Sequence, residues 1–282
     1  MSAINTGSDM FSPAFKSLLH EATLTNEMLA AGATQIRNAN YSTRGVYFQA
    51  FTSLATGLER IGKLALILNH IADNHGALPD AAFFKHLKRT LGHNLRAIYL
   101  SLREIQARRN MRVKFLNSLD HTIHSAVLSV LHNFAMGDRY SNISALAGIR
   151  QRDDPVAAWH ETVDLPLFET SVKQQKKAEI WAKASVIGRA FGPHAAVLHF
   201  SESGSEITDL AEASYRTGVA LAVAPYRQLC VLQVLRYFVE ILWNLEESAN
   251  SAGSNDVPAM GEIFAIFYNN DAMFRSRKTW KR

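Results

Sequence analysis

Apolar residues recur along this chain mainly at spacings of three and four, the period of an α-helix. The clearest run lies between Thr43 and Asn74, where Phe51, Leu54, Leu58, Ile61, Ala65, Leu68 and Ala72 form one stripe. Leu64, Ile67 and Ile71 widen it, so the pattern predicts a helix packed on more than one side. Glu59 and Lys63 stand four apart in the order that supports a helix, and Asn74, Gly76 and Pro79 supply its stop. Similar patterns predict helices over Pro13–Arg37, Phe83–Arg108, Leu119–Ala135, Pro155–Val163 and Leu167–Phe191, with Asp153 and Asp154 capping the helix that opens at Pro155.

From Gly192 to Ala224 the pattern is ambiguous. Gly192-Pro193 ends one helix, Val197–Phe200 reads as a short strand or a turn of helix, and Ser205 reads as the cap of a helix reaching Tyr215. Tyr226–Glu247 is the most apolar helix, its polar residues confined to the stripe Gln228, Gln233, Arg236, Glu240, Asn244 and Glu247. Such a helix belongs at a bundle centre or in a subunit interface. Ser248–Val257 reads as a loop before a last apolar patch, Ile263–Tyr268. The fold class is all-α. A soft boundary at Gly148–Asp154 divides a helical bundle, 1–150, from a helical C-terminal region, 151–282, which is either separate from the first or continuous with it.

Composition narrows the function classes. With 48% hydrophobic and 20% charged residues in 282, the chain has a globular balance and can bury a sizeable core. No stretch offers the roughly 20 uninterrupted apolar residues of a membrane span. The nearest, Val219–Leu245, is broken by Pro225, Arg227, Arg236 and Glu240. Met1–Asp9 lacks the basic start and apolar stretch of a secretion signal, so the expected location is cytoplasmic, with no membrane partner. Cys230 is the single cysteine, which excludes an intramolecular disulfide, and its apolar setting is that of a small buried hydrophobe.

Positive charge is localised. Nine Lys and Arg residues lie between Lys85 and Lys114 against one acid, Glu104, and Arg275, Arg277, Lys278, Lys281 and Arg282 close the chain. Clusters of this kind attract phosphate, nucleic acid or an acidic protein, or simply form a solvated face. If Phe83–Arg108 is one helix, His86, Arg89, His93, Arg96 and Arg103 share a face, opposite Leu87, Leu91, Leu95, Ile98, Leu102 and Ile105. Positive neighbours disfavour protonation of an imidazole, so His93 would be a neutral base between the guanidinium groups of Arg89 and Arg96. That pattern suits acid–base work on a phosphodiester, with His93 moving the proton and the arginines stabilising the pentavalent phosphate. In RNA the attacking group is the 2′-hydroxyl, and neither a metal nor a cofactor is needed. Arg139, after Gly137 and Asp138, reads as a phosphate clamp, as a pair for Glu59, or as a tie between loop and bundle.

The string Gly57-Leu58-Glu59-Arg60-Ile61-Gly62-Lys63-Leu64, followed by Leu91-Gly92-His93-Asn94-Leu95 on the next helix, resembles the HEPN superfamily. Asp138-Arg139-Tyr140-Ser141-Asn142-Ile143 is similar to a segment of unclassified HEPN-like proteins, and the likeness covers about Tyr41 to Asp164. The resemblance implies an HEPN-like helical bundle, here with additional C-terminal helices, commonly homodimeric. It also implies that some members are metal-independent ribonucleases of toxin–antitoxin or anti-phage systems. Catalytic members carry an arginine four to six residues before a histidine. This chain departs from that pattern: three residues separate Arg89 from His93, and Lys88 holds the position with four between.

Other pairings carry less. Arg189 and His194 have the family spacing, but nineteen arginines and eleven histidines produce about two such pairs by chance. His121, His124 and His132 share a helix, yet His132 lies two turns beyond the ion the first two would hold, so no metal site is expected. The sequence therefore predicts a HEPN-like protein engaging RNA or another phosphate-rich partner, with His93 and Arg89 catalytic and Arg96, Lys88, Arg139 and Arg103 binding phosphate. The alternative is a noncatalytic module whose basic face meets an acidic protein; a small-molecule or metal-dependent bundle enzyme comes third.

Overall fold

The computed structural model of the chain describes residues 11–140, 154–195 and 197–280. Among them all regular structure is helical except one two-stranded antiparallel ribbon, so the fold is all-α. Helix α1 (Pro13–Asn38) opens where the Ser12 hydroxyl accepts the Phe15 amide and Pro13 fills the first turn. Asn40 accepts the amides of Ser42 and Thr43, which turns the chain so that α2 (Arg44–Asp73) runs back along α1. Glycines let the two backbones approach: a Cβ at Gly57 would stand 2.5 Å from a methyl of Leu29, and one at Gly32 2.6 Å from Leu54 Cγ.

The single helix expected over Phe83–Arg108 is two helices, α3 (Ala81–Thr90) and α4 (Leu95–Arg108). Gly92 adopts φ +47°, a conformation that side chains resist, and Asn94 caps the new helix by accepting the Ala97 amide. Asp73 receives Arg108 at 2.7 Å and Arg109 at 2.5 Å, which ties the end of α4 to α2. Burial works to raise the Asp73 pKa, but the two guanidinium groups hold it below the ordinary value.

Helix α5 (Thr122–Met136) is followed, beyond 153, by α6 (Pro155–Trp159), a π turn (His160–Asp164) closed from the Leu165 amide to the His160 carbonyl, and α7 (Leu165–Ser171). The helix break therefore falls at Val172 and Lys173, before α8 (Gln174–Phe191), rather than near Asp164. Strand β1 (His199–Phe200) pairs with β2 (Glu206–Ile207), the first of the two readings open for Val197–Phe200. Asp209, not Ser205, caps the next helix, and Pro225 does not end it: α9 (Leu210–Ser251) runs 42 residues, about 63 Å. Two short helices, α10 (Met260–Ile263) and α11 (Asp271–Ser276), finish the chain.

The first half of α9 pairs with α8, and its second half lies between α1, α2 and α5. Val231, Leu235, Phe238 and Leu242 are buried there, so the apolar segment Tyr226–Glu247 forms the centre of the bundle. By length and composition α9 is apolar enough to cross a membrane, but half of its most apolar window is covered by the rest of the protein. The charges that interrupt it are used internally. Arg236 pairs with Asp271 at 2.9 Å, and Glu240 accepts the Lys114 amide at 2.8 Å. Residues on both sides of 150, from Leu29 and Leu54 to Trp159, Phe238 and Trp280, share one core.

A buried polar knot joins α2, the π turn and α9. Arg227, fully buried, donates to Tyr47 Oη at 2.7 Å and lies 3.1 Å from Asp164 Oδ2. Tyr47 and the Trp159 indole donate to the two Asp164 oxygens at 3.1 and 3.2 Å. Arg227 also donates at 3.1 Å to Ala220, on the turn before Pro225. Burial opposes the charge on Arg227, but Asp164 and Tyr47 keep its pKa above the ordinary value.

His124 is buried, its Nε2 2.8 Å from Gln233 Oε1, and burial lowers its pKa below 6.5; burial and then Arg96 do the same to His132. Both are held neutral in the fold, so their contribution to stability is complete above pH 6.5 and is lost as the pH falls through and below that value. The urea midpoint is expected to decline from pH 7 to pH 5.5, less so in His124→Gln.

Candidate functional site

Two separated strings meet at one cleft. Glu59, Arg60 and Lys63 project from α2, His93 comes from the turn between α3 and α4, Glu21 from α1, and Arg139 from a 3-10 turn after α5. Together with Thr52, Thr56, Phe134 and Ala135 they line a space of about 370 Å³. Its organising group is Glu59, whose carboxylate is mostly covered. One oxygen accepts from Lys63 Nζ at 2.5 Å and the other lies 2.9 Å from His93 Nδ1. A carboxylate only accepts, so Nδ1 is the donor to Glu59, and in the neutral ring Nε2 then carries the lone pair that can work on a ligand. The imidazole is 67% exposed, open to a substrate, while its anchor is 13% exposed. Arg60 meets both oxygens of Glu21 at 2.7 Å and also lines the cleft.

The helix break removes the common face expected for the basic residues. His93 sits on a turn, and its bonded neighbour is a carboxylate rather than a guanidinium. Lys88 and Arg89 are exposed on α3 and do not line the cleft. Arg96 lines a different hollow, with Tyr99, Asp120 and Ser129. Arg103 donates to the Asn117 carbonyl and lies 3.8 Å from Asp120, tying down the chain before α5. His86 is near Thr90, and Arg189 and His194 are exposed at the end of α8. Of the sequence-derived residues only His93 and Arg139 come together, and Arg139 shares the cleft with Glu59. Among the described residues no group of three His, Cys, Asp or Glu side chains is placed to hold a metal ion. Cys230 is buried, and burial pushes its thiol up to about 12, so it is no nucleophile.

No family model, curated protein or solved structure matches this chain.

Sequence reasoning missed Glu59, Arg60, Lys63 and Glu21 as site residues. The signal was present in Glu59 and Lys63, whose spacing also reads as ordinary helix support. The glycines of the same string position the cleft: a Cβ at Gly62 would stand 2.3 Å from Ile98 Cγ2, on the first turn of α4 that follows His93. Gly62→Ala is expected to cost about 1–3 kcal/mol by overpacking, read as a lower urea midpoint.

Proposed function

We propose that this chain engages RNA, or another phosphate-rich partner, at the Glu59–His93 cleft and cleaves it without a metal. The reading rests on one observation: a carboxylate holds His93 by Nδ1 at the mouth of a cleft whose walls carry Arg60, Lys63 and Arg139. In the proposed reaction His93 Nε2 takes the proton of the 2′-hydroxyl. The oxygen attacks phosphorus, the bond to the 5′-oxygen breaks, and that oxygen is protonated by a water whose hydroxide takes back the proton held on His93. The products are a cyclic phosphate and a 5′-hydroxyl end, and the cations stabilise the charge that gathers on the phosphoryl oxygens. Arg89, on the surface of α3, has no part in this chemistry.

The HEPN resemblance supports the same reading, because the two strings that carry it are those that converge on the cleft. With it come a cytoplasmic defence or toxin role and a homodimer. The dimer rests mainly on the resemblance, since most of Tyr226–Glu247 is covered within one chain and Trp243 is its one exposed large apolar side chain. Light scattering at micromolar concentration is expected to give twice the 31.4 kDa chain mass, and a monomer mass removes that part.

The test of function is incubation of the purified protein with RNA, with and without chelator. Cleavage that survives chelation and leaves cyclic phosphate ends supports the proposal, whereas chelator-sensitive cleavage refutes it. The second reading, a noncatalytic module for an acidic partner, is favoured by the exposure of Lys88 and Arg89. It predicts no turnover and a salt-sensitive complex that Lys88→Ala and Arg89→Ala weaken together.

A further inference from the structure

The basic residues between Lys85 and Lys114 divide by what they touch. Arg103 is committed to Asn117, and Arg108 and Arg109 to Asp73. Lys85, Lys88 and Arg89, all on α3, are exposed, and among the described residues none of their side chains makes a hydrogen bond or an ion pair. From Asn74 to Arg103 the one acid is Asp80, whose side chain caps α3 by accepting the Phe83 amide at 2.8 Å. The positive charge of this helix is therefore left for a partner outside the chain.

The inner face of α3 fixes the outer one. Leu87 is buried, and the Phe83 ring stands 4.5 Å from that of His70 in the last turn of α2. On the solvent side Lys85 and Arg89 lie one turn apart, and Phe84, 47% exposed, lies one turn from Lys88. The helix thus starts beside the end of α2 and, three residues beyond Thr90, brings His93 to Glu59. Glu59 and His70 are eleven residues apart on α2, about 16 Å, close to the length of about 15 Å that α3 has.

We propose that the outer face of α3 is a track for single-stranded RNA leading to the Glu59–His93 cleft, an inference that rests on the reading of that cleft as the place where RNA is bound. Lys85, Lys88 and Arg89 take backbone phosphates, and Phe84 stacks a base about 15 Å from His93. Free cations alone would suit any polyanion, so the ring among them makes the selection. A base stacks on Phe84 only where the strand is unpaired, because in a duplex the base faces already stack on one another. An acidic peptide offers the cations the same charge but no flat face for the ring. Phe84 is the one large apolar side chain exposed on α3, too little to anchor a bilayer.

The test is fluorescence anisotropy of the full chain with a labelled 2′-O-methyl oligoribonucleotide, whose blocked 2′-oxygen prevents cleavage, single-stranded and annealed to its complement. The strand is expected to bind about tenfold tighter than the duplex or more. Phe84→Ala is expected to weaken the strand about tenfold without changing its salt dependence or the duplex affinity, and Phe84→Trp to keep the full affinity. The triple variant Lys85→Ala, Lys88→Ala, Arg89→Ala is expected to lower the slope of log affinity against log salt by about 2. All four side chains face solvent, so the urea midpoints are expected to match that of the unmodified chain. Equal binding of strand and duplex overturns the track, as does no binding up to about 0.1 mM protein, or polyglutamate displacing the strand as well as unlabelled strand does. RNA cleavage together with strand binding that the α3 variants leave unchanged refutes the track and leaves the cleft. Strand binding that follows α3 in a chain that cuts no RNA refutes the cleavage and leaves the track.

Discussion

His93→Ala is expected to lower RNA cleavage by about 10²- to 10⁴-fold, the usual contribution of a positioned acid–base group, with the urea midpoint unchanged. The two readouts separate because the imidazole is 67% exposed and contributes little to packing, while its lone pair is the only base the proposed reaction uses. Glu59→Gln sharpens the test. The amide can still meet Nδ1, but it no longer obliges that nitrogen to be the donor, and Lys63 loses its counter-charge. Cleavage is expected to fall by about 10- to 100-fold, with the lower limb of the pH–rate profile displaced. Full activity in His93→Ala would show that the cleft is not where RNA is cut.

Asp164→Ala is expected to cost about 3–5 kcal/mol in urea unfolding, enough to leave a marginally stable chain partly unfolded. The reason is the charge left behind: Arg227 is wholly buried, and among the described residues Asp164 is the carboxylate in contact with it, at 3.1 Å, with Glu202 acting on it from farther off. The paired change Asp164→Leu with Arg227→Met is expected to recover most of the loss, since a buried ion pair replaced by apolar groups is often neutral. A single Asp164→Ala with an unchanged midpoint would mean that Arg227 finds another partner. His93→Ala and Asp164→Ala thus divide the protein's carboxylates by task, Glu59 orienting a reactive group and Asp164 holding a core together.

Helical class was legible because the stripe from Phe51 to Ala72 repeats on one surface of α2, and a single period suffices to identify a helix. The bundle-centre option for Tyr226–Glu247 was legible for the same reason. The break at Leu91–Asn94 was hidden by Leu87, Leu91, Leu95 and Ile98, whose spacing continues across it, although Gly92 and Asn94 are the residues that end and restart helices. The region before Pro225 was ambiguous for a related reason: a breaker stands inside a helix that packs on α8 before it and on α1 and α2 after it. The cleft was half legible. His93 and Arg139 carry recognisable chemistry, but Glu59 approaches His93 only in three dimensions, 34 positions away.

That turn at Gly92-His93-Asn94 also changes what would identify a kindred sequence. A signature counting residues from an arginine to the next histidine presumes that both ride one rigid cylinder. Here the imidazole hangs from a hinge between two short rods, and its cationic company arrives from α2 and from beyond α5. In this chain the corner is built by Gly57-Leu58-Glu59-Arg60-Ile61-Gly62-Lys63 on one rod and Gly92-His93-Asn94 at the joint of the next two, with Arg89, in between, facing elsewhere.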